Sequence, residues 1–195
     1  MNFEQIISVL SKKSVGIAGC GGLGSNCAVA LARVGIGKLV ICDFDIVVES
    51  NLNRQYFFYS QIDMKKSFAL KENIKNINPF IVVEAHDIKL EHNNIPSFFQ
   101  HCDVIVEAFD RADMKQMIIE TVLDEMPETP LVCGIGLAGW GNSNAIKMKQ
   151  TGNLYVCGDG DSEVTEDSPP LAPRVGIVAN MQANTVIEIL LNESK

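Results

Sequence analysis

The strongest constraint on the fold is a glycine motif that lies between a short apolar segment and a helix-like one. The segment Ser14–Gly19 has the composition of a buried strand, the sequence GCGGLG (residues 19–24) completes it, and a helix is predicted over residues 21–34. In this arrangement glycine lets the backbone approach a phosphate or a ribose closely, and the first N–H groups of the helix carry partial positive charge. The motif therefore predicts a nucleotide-binding βαβ unit.

Apolar and helix-like segments continue to alternate along the chain, a pattern typical of a parallel sheet with crossover helices. Further strands are predicted over residues 38–43, 80–85, 103–108 and 131–136, and further helices over 64–78, 112–126 and 174–192. Residues 144–149 and 153–157 are predicted as an antiparallel pair, followed by a long acidic loop. We predict one domain over residues 1–195: an α/β, Rossmann-like fold with a mainly parallel twisted sheet, antiparallel strands in its C-terminal half and helices on both faces.

Charge and hydropathy disfavour several classes of function. The formal net charge is −8, and no basic stripe is present that would neutralise nucleic-acid phosphates or bind an anionic membrane. The N-terminal sequence lacks the pattern of a signal peptide, and no apolar run approaches the ~18 residues of a membrane span. We expect a cytoplasmic protein that binds neither nucleic acid nor membrane.

Cysteine and histidine are not spaced as metal ligands. None of the six cysteines forms a CxxC pair, so no zinc site is expected. Cys27, Cys42 and Cys133 lie in apolar segments and are predicted to be buried thiols. The three histidines, at positions 86, 92 and 101, share no ligand spacing and are interpreted as structural.

Acidic residues follow the second predicted strand. Asp43 lies 19 positions after Gly24, where a carboxylate can accept hydrogen bonds from ribose hydroxyls. Asp45 and the sequence ESNLNRQ (residues 49–55) come next, at the same end of the predicted sheet. The glycine motif and the acid predict a nucleotide but do not distinguish ATP from NAD.

Two cations suggest that the nucleotide is a triphosphate. Arg54 offers a planar set of donors suited to phosphate, and Lys66 lies on the first turn of the next predicted helix. A triphosphate needs such charge neutralisation, whereas a dinucleotide has no evident need for both cations. The neighbouring Lys65 is an alternative to Lys66, and ordinary surface cations are the alternative for Arg54 and Lys66.

A further carboxylate, Asp110, follows the predicted strand over residues 103–108. Ligands of open α/β sheets bind beyond the carboxyl ends of the strands, where Asp110 could hold Mg²⁺ against phosphates. Asp113 lies one helical turn further on and is a candidate to assist. Helix N-capping is the alternative role for both residues.

Several strings together resemble one family. They are GCGGLGS, DFD, SNLNRQ, INP, EAFD and APRVGIVANMQA, and they extend over nearly the whole chain. They resemble the ThiF/MoeB/HesA family, bacterial relatives of the ubiquitin-activating E1 enzymes, and most of all its short ThiF-type members. The resemblance implies that ATP and Mg²⁺ are used to adenylate the C-terminal glycine of a small ubiquitin-like sulfur carrier, ThiS-like and ending in Gly-Gly. It also implies a homodimer and a role in thiamine biosynthesis.

The resemblance assigns roles to individual residues. Arg54, Lys66 and Asp110 would be catalytic, the last of them through Mg²⁺. The nucleotide-binding residues that it implies are Gly19, Gly21, Gly22, Gly24, Asp43, Asp45, Asn51, Arg54, Gln55 and Lys66.

The sequence departs from the family pattern at three places. No arginine precedes the first strand, although longer members use one there in the partner's site, and Arg174 is a candidate substitute. The CxxC pairs of many members are missing. Thr165 stands where some members have a cysteine, and Cys157 lies nearby, so a covalent role for Cys157 stays open beside a structural one.

Other functions remain as alternatives. One is a non-catalytic module that binds nucleotide and carrier, a second is a NAD-binding oxidoreductase, and a third is adenylation of a small molecule or an RNA base. Trp140, in a glycine-rich segment, is predicted to pack in the core, with the floor of a carrier-tail groove as the other possibility.

Overall fold

The computed structural model describes residues 1–192, which form a sheet surrounded by helices. The strands are β1 (Ser14–Ala18), β2 (Lys38–Asp43), β3 (Val82–Asp87), β4 (Val104–Glu107), β5 (Leu131–Gly134), β6 (Lys147–Thr151) and β7 (Leu154–Gly158). The helices are α1 (Phe3–Leu10), α2 (Gly22–Arg33), α3 (Lys66–Ile77), α4 (Ile95–Phe99), α5 (Ala112–Glu125) and α6 (Ala172–Asn192).

The strand order places a ligand crevice at β1. Within residues 1–192 the order is β3-β2-β1-β4-β5-β7-β6, and all neighbouring pairs are parallel except β6 and β7, which are antiparallel. From β1 the chain continues to β2 on one side, and from the neighbouring β4 it continues to β5 on the other. The connections that leave the carboxyl ends of β1 and β4 therefore run in opposite directions. Such a switch point is where open α/β sheets bind ligands.

Helices cover both faces of the sheet because side chains alternate along the buried strands. In β2, Leu39 and Ile41 join a core cluster with α1, α2, α3 and α6, whereas Val40 and Cys42 join a second cluster with α4 and α5. The predicted fold class is confirmed. Cys27, Cys42 and Cys133 are buried free thiols, as predicted.

The predicted first residues of β3 and α3 are wrong, because local contacts decide where these elements begin. The strand predicted from residue 80 begins at Val82, because Pro79 ends the preceding helix and Phe80 lies in a turn, 92% exposed. Helix α3 begins at Lys66 rather than at residue 64, since Met64 accepts a hydrogen bond from the N–H of Val47 instead of entering the helix.

The other corrections concern the termini and the second half of the chain. Strand β6 starts three residues later than predicted, after a 3₁₀ turn over Ser143–Ala145. Helix α1 was not predicted, and Asn2 and Gln5 form a capping box at its start. The core prediction for Trp140 is wrong: it is 74% exposed, because it lies in a surface loop between two glycines with positive φ.

The described helices include none that could span a membrane. The longest, α6, has 21 residues and buries one side, including Val178, Val186 and Leu190, against the sheet and α2. The apolar side of this long helix therefore forms part of the core.

Candidate functional site

The glycine loop between β1 and α2 is folded tightly against β4. Gly19 has a φ of +95°, and a Cβ there would lie 2.9 Å from the carbonyl oxygen of Ala108. A Cβ on Gly24 would lie 1.9 Å from the carbonyl oxygen of Gly19, so no larger residue fits that position. Within residues 1–192 no side chain caps the start of α2. Its first N–H groups are therefore available to an acceptor in the crevice.

Asp43, the last residue of β2, contacts the glycine loop. Its carboxylate accepts hydrogen bonds from the backbone N–H groups of Cys20, at 2.6 Å, and Asp45, at 2.8 Å. Burial raises the pKa of Asp43, and these bonds and the charge of Lys66 oppose that rise. Each carboxylate oxygen has two lone pairs, so both can accept a further bond, for example from a ribose hydroxyl.

The two adjacent lysines have different environments. The side chain of Lys66 is 9% exposed, and its Nζ lies 2.8 Å from Oδ2 of Asp45. Lys65 instead pairs with Asp87 at 3.1 Å and donates to the carbonyl of Phe44. Lys66 is therefore the lysine whose charge acts on Asp43 and Asp45, which favours it over Lys65 as the predicted phosphate ligand.

Arg54 lies against the start of α2. Its Cγ and Cδ are 3.6 and 3.8 Å from where a Cβ on Gly22 would be. Its Nη1 donates to the carbonyl of Ser50, at 3.0 Å, and to Oδ1 of Asn53, at 2.7 Å. The structure therefore brings Arg54 to the glycine loop, with its guanidinium held by its own segment.

Asn51 and Gln55, from the same segment, are both buried. Oδ1 of Asn51 accepts from the N–H of Val48, so this residue shapes the turn that presents Arg54. Nε2 of Gln55 lies 3.8 Å from the Cβ position of Gly21, and its buried Oε1 has no partner among the described residues. Gln55 thus approaches the glycine loop through its amide nitrogen, and its Oε1 is a buried acceptor that the described contacts leave unsatisfied.

Asp110 is exposed, three residues beyond the last residue of β4. The capping alternative is contradicted, because the cap position of α5 is occupied by Arg111, and in the described chain no side chain caps that helix. Asp113 is engaged with Arg111, from which its two oxygens accept bonds of 3.0 and 2.6 Å. Both carboxylates are exposed, but among the described residues only Asp113 forms an ion pair with Arg111, which leaves Asp110 as the unpaired carboxylate of this loop.

A single exposed carboxylate fits Mg²⁺ held mainly by substrate. Among residues 1–192 no three His, Cys, Asp or Glu side chains come together as a metal site would require. Mg²⁺ commonly binds through one or two carboxylates and the oxygens of a phosphate chain, which is the donor set that Asp110 and a triphosphate would supply.

A buried ion pair below the crevice was not predicted. Both oxygens of Glu107 accept from Nζ of Lys115, at 2.9 and 3.0 Å, and the same Nζ donates to the carbonyl of Gly134 at 2.9 Å. Nε2 of Gln182 donates to the carbonyl oxygens of Glu107 and Val132. Burial raises the pKa of Glu107, and Lys115 opposes the rise. The only signal in the sequence is a Glu that ends an apolar strand, with a Lys on the next helix.

Arg174 is buried at the start of α6 and engaged within the chain. Its guanidinium binds Asp159 and the carbonyl of Gly141. Burial would raise the pKa of Asp159, but bonds from Ser162, Asp161 and Arg174 lower it to about 2. These contacts join the acidic loop to α6, so the structure gives Arg174 a structural role within the chain.

Cys157 is not placed as a nucleophile. It lies on β7 with no exposed surface, and its Sγ is 3.6 Å from Oγ1 of Thr185. Burial raises its pKa, whereas a reactive cysteine needs access and a lowered pKa. The structural alternative is therefore the one that the fold supports. Thr165 lies in the exposed acidic loop.

Known proteins share this sequence and this fold. The sequence profile of the ThiF family matches residues 4–195. "Adenylyltransferase and sulfurtransferase MOCS3" of Xenopus laevis is 30% identical over 187 residues, which cover 92% of this chain and 41% of that protein. "Ubiquitin-like modifier-activating enzyme 5" of Bombyx mori is 28% identical over 172 residues, with 87% and 42% covered. The chain thus spans about two fifths of these relatives' length.

Solved structures show the same architecture. Escherichia coli tRNA N6-threonylcarbamoyladenosine dehydratase in complex with ATP has a TM-score of 0.88 at 18% identity, covering 98% of this chain and 90% of that one. Escherichia coli MccB with ATP has a TM-score of 0.73 at 20% identity, covering 95% and 58%. At this identity the likeness concerns the fold, and the sequence profile identifies the family: this chain belongs to the ThiF family.

Proposed function

We propose that this chain is an ATP-dependent adenylyltransferase that activates the C-terminal carboxylate of a small ubiquitin-like carrier protein. The observation that carries the proposal is the meeting of an uncapped helix start, Asp43 and the cations Arg54 and Lys66 at the switch point of the sheet. Matched relatives named as an adenylyltransferase and as a ubiquitin-like modifier-activating enzyme support it. Structures of the same fold that hold ATP support the choice of nucleotide.

The chemistry assigned to the site is positioning and charge stabilisation. Asp43 accepts bonds from the ribose, and the N–H groups of α2, with Arg54 and Lys66, face the phosphates. An oxygen of the carrier's carboxylate attacks the α-phosphorus, and the bond from that phosphorus to the bridging oxygen breaks, so that pyrophosphate leaves with its electron pair. The carboxylate is already ionised at neutral pH, so the attack needs no general base.

Two features let the site handle the charge of a triphosphate. Lys66 is held by Asp45, whose side chain is half exposed, and a triphosphate offers the ammonium more negative charge than that carboxylate does. Mg²⁺ held by Asp110 would neutralise part of the remaining charge. Preorganised cations of this kind typically contribute ~10²–10³ in rate each.

We further propose a ThiS-like carrier that ends in Gly-Gly, with thiamine biosynthesis as the pathway. Support comes from the short ThiF-type pattern of the sequence. The alternative is a module that binds ATP and carrier without catalysis. The engagement of Arg174 with Asp159 within the chain favours that alternative.

A homodimer is part of the proposal. Phe44, Ile46 and Val48 are 49%, 42% and 39% exposed and alternate with the fully buried Val47 along the extended segment after Asp43. They form an apolar stripe on the surface beside the nucleotide crevice. Such a stripe suits contact with a second copy, which would cover it and bring the two crevices near one interface.

Pyrophosphate exchange tests the proposal. Labelled pyrophosphate should enter ATP when the chain is mixed with Mg²⁺ and a ThiS-like carrier, but not with a carrier that lacks its last glycine. Arg54→Ala and Asp110→Ala should each lower the exchange rate about a hundredfold, because each removes one preorganised charge contact. Arg111→Ala, next to Asp110 but paired with Asp113, is the control and should keep the wild-type rate. Binding of ATP and carrier without exchange would identify the non-catalytic module instead.

A further inference from the structure

The segment between β2 and α3 carries the key side chains on irregular backbone. It runs from Phe44 to Lys65 and contains only two 3₁₀ turns, at Glu49–Asn51 and Tyr59–Gln61. Long irregular segments are normally mobile, whereas a binding site needs its side chains held to about 0.5 Å. The guanidinium of Arg54 is bonded within the segment, so contacts from outside are needed to fix the backbone that carries it.

Asn26, on the first half of α2, makes that connection. Its Nδ2 donates to two carbonyl oxygens, that of Gly22, at 2.7 Å, and that of Arg54, at 2.9 Å. A side-chain amide has two N–H donors, and here one serves the glycine loop and the other serves the arginine segment. The half-buried Asn26 thus joins the two halves of the crevice through one group.

Neighbouring hydrogen bonds also hold the backbone next to this connection. The hydroxyl of Ser25 donates to the carbonyl of Gly21 at 2.6 Å and accepts from the N–H of Tyr56 at 2.9 Å. On the far side, Asn73 donates to the carbonyl of Tyr56 at 2.8 Å. Residues 54–56 are therefore held from both sides. The N–H of Arg54 donates to the carbonyl of Asn51 within the segment, and among the described contacts Asn26 supplies the bond that reaches the backbone of Arg54 from outside the segment.

We propose that Asn26 is a positioning residue that holds Arg54 in place for the phosphates of the nucleotide. The inference rests on the proposed function, because that function assigns Arg54 to the triphosphate. Asn26 acts through the arginine segment and does not itself touch the ligand. Its effect on binding should accordingly exist only while Arg54 is present.

The competing interpretation is an ordinary bond within the helix. Asn side chains often bond to the carbonyl four residues earlier, and α6 contains such a case: Nδ2 of Asn180 donates to the carbonyl of Gly176 at 2.7 Å. Asn180 is exposed, and this is its only described side-chain bond. It is therefore a matched control for the local half of the Asn26 interaction.

Calorimetric titration with ATP and Mg²⁺ tests the inference in the full chain. Asn26→Ala removes both bonds, and Asn26→Ser keeps a donor that reaches the carbonyl four residues back but not that of Arg54. We expect both to weaken ATP binding about tenfold, the equivalent of losing one or two neutral hydrogen bonds. With Arg54→Ala in the background the same changes should have less than a twofold effect, and Asn180→Ala should have none.

Each other outcome is informative. A tenfold loss that persists without Arg54, or an Asn26→Ser variant that binds like the wild type, would overturn the inference. Alanine and serine are both tolerated in helices, and the unfolding temperature identifies a variant that is merely unfolded. The predicted coupling combined with an absence of pyrophosphate exchange would remove the proposed function alone. A wild-type chain that does not bind ATP would overturn both.

Discussion

Replacing Lys115 by Met should destabilise the domain far more than a surface change would. Glu107 has no exposed surface, and Lys115 is the cation that bonds both of its oxygens. The substitution keeps the length and apolar part of the side chain but leaves a buried carboxylate without its cation. Breaking a buried pair in this way typically costs ~3–5 kcal/mol, which is a large part of the ~5–15 kcal/mol stability of a typical domain.

Urea denaturation measures this loss, and its pH dependence identifies the cause. Without Lys115, burial raises the pKa of Glu107 in the folded state further above its value in the unfolded state. At a pH between these two pKa values the folded state binds more protons than the unfolded state. Stability then rises as the pH falls, and the difference from wild type should shrink on approaching the pKa of an ordinary Glu, about 4.3. Glu107→Gln added to Lys115→Met should restore part of the stability at neutral pH.

The control is Arg111→Ala, which removes the exposed pair with Asp113 on the same helix and should leave the denaturation midpoint unchanged. The reasoning is refuted if Lys115→Met is no more destabilising than this control, or if its loss of stability is the same at pH 4.5 and pH 7.5.

Two further predictions concern the crevice. Lys66→Met should weaken ATP binding at least tenfold, whereas Lys65→Met should change it less than twofold, because Lys66 pairs with Asp45 and Lys65 pairs with Asp87. Equal effects of the two substitutions in calorimetry would contradict the choice of Lys66 as the phosphate ligand. Gly24→Ala should abolish ATP binding, since its Cβ would lie 1.9 Å from the carbonyl oxygen of Gly19 and the loop would have to open; full binding by a folded Gly24→Ala chain would show that the loop has another conformation.

Much of the fold could be predicted because its determinants are local. The glycine motif fixes a strand, a turn and a helix in sequence, and Asp43 follows at the end of the next strand, so the carboxyl ends of two adjacent strands are known without any long-range information. Parallel strands buried on both faces are also continuous apolar runs, which is why β1, β2, β4 and β5 were located to within two residues.

The errors arise where distant partners decide. Phe80 and Trp140 are large and apolar, so the sequence alone suggests burial, yet a proline turn and a glycine loop place them at the surface. The bonds that Lys115 donates to Glu107 and to the carbonyl of Gly134 depend on how elements pack. The same is true of the bond from Asn26 to a carbonyl 28 residues away. The hydrophobic periodicity of the sequence does not indicate such contacts.

The central claim is that a nucleoside triphosphate lies at the carboxyl end of β1. A crystal structure of the chain with Mg²⁺ and a non-hydrolysable ATP analogue tests it most directly. The account predicts the ribose within hydrogen-bonding distance of Asp43, the phosphates between the start of α2, Arg54 and Lys66, and Asp110 facing the metal. A nucleotide bound elsewhere, or Arg54 and Asp110 on opposite sides of the molecule from each other, would contradict it.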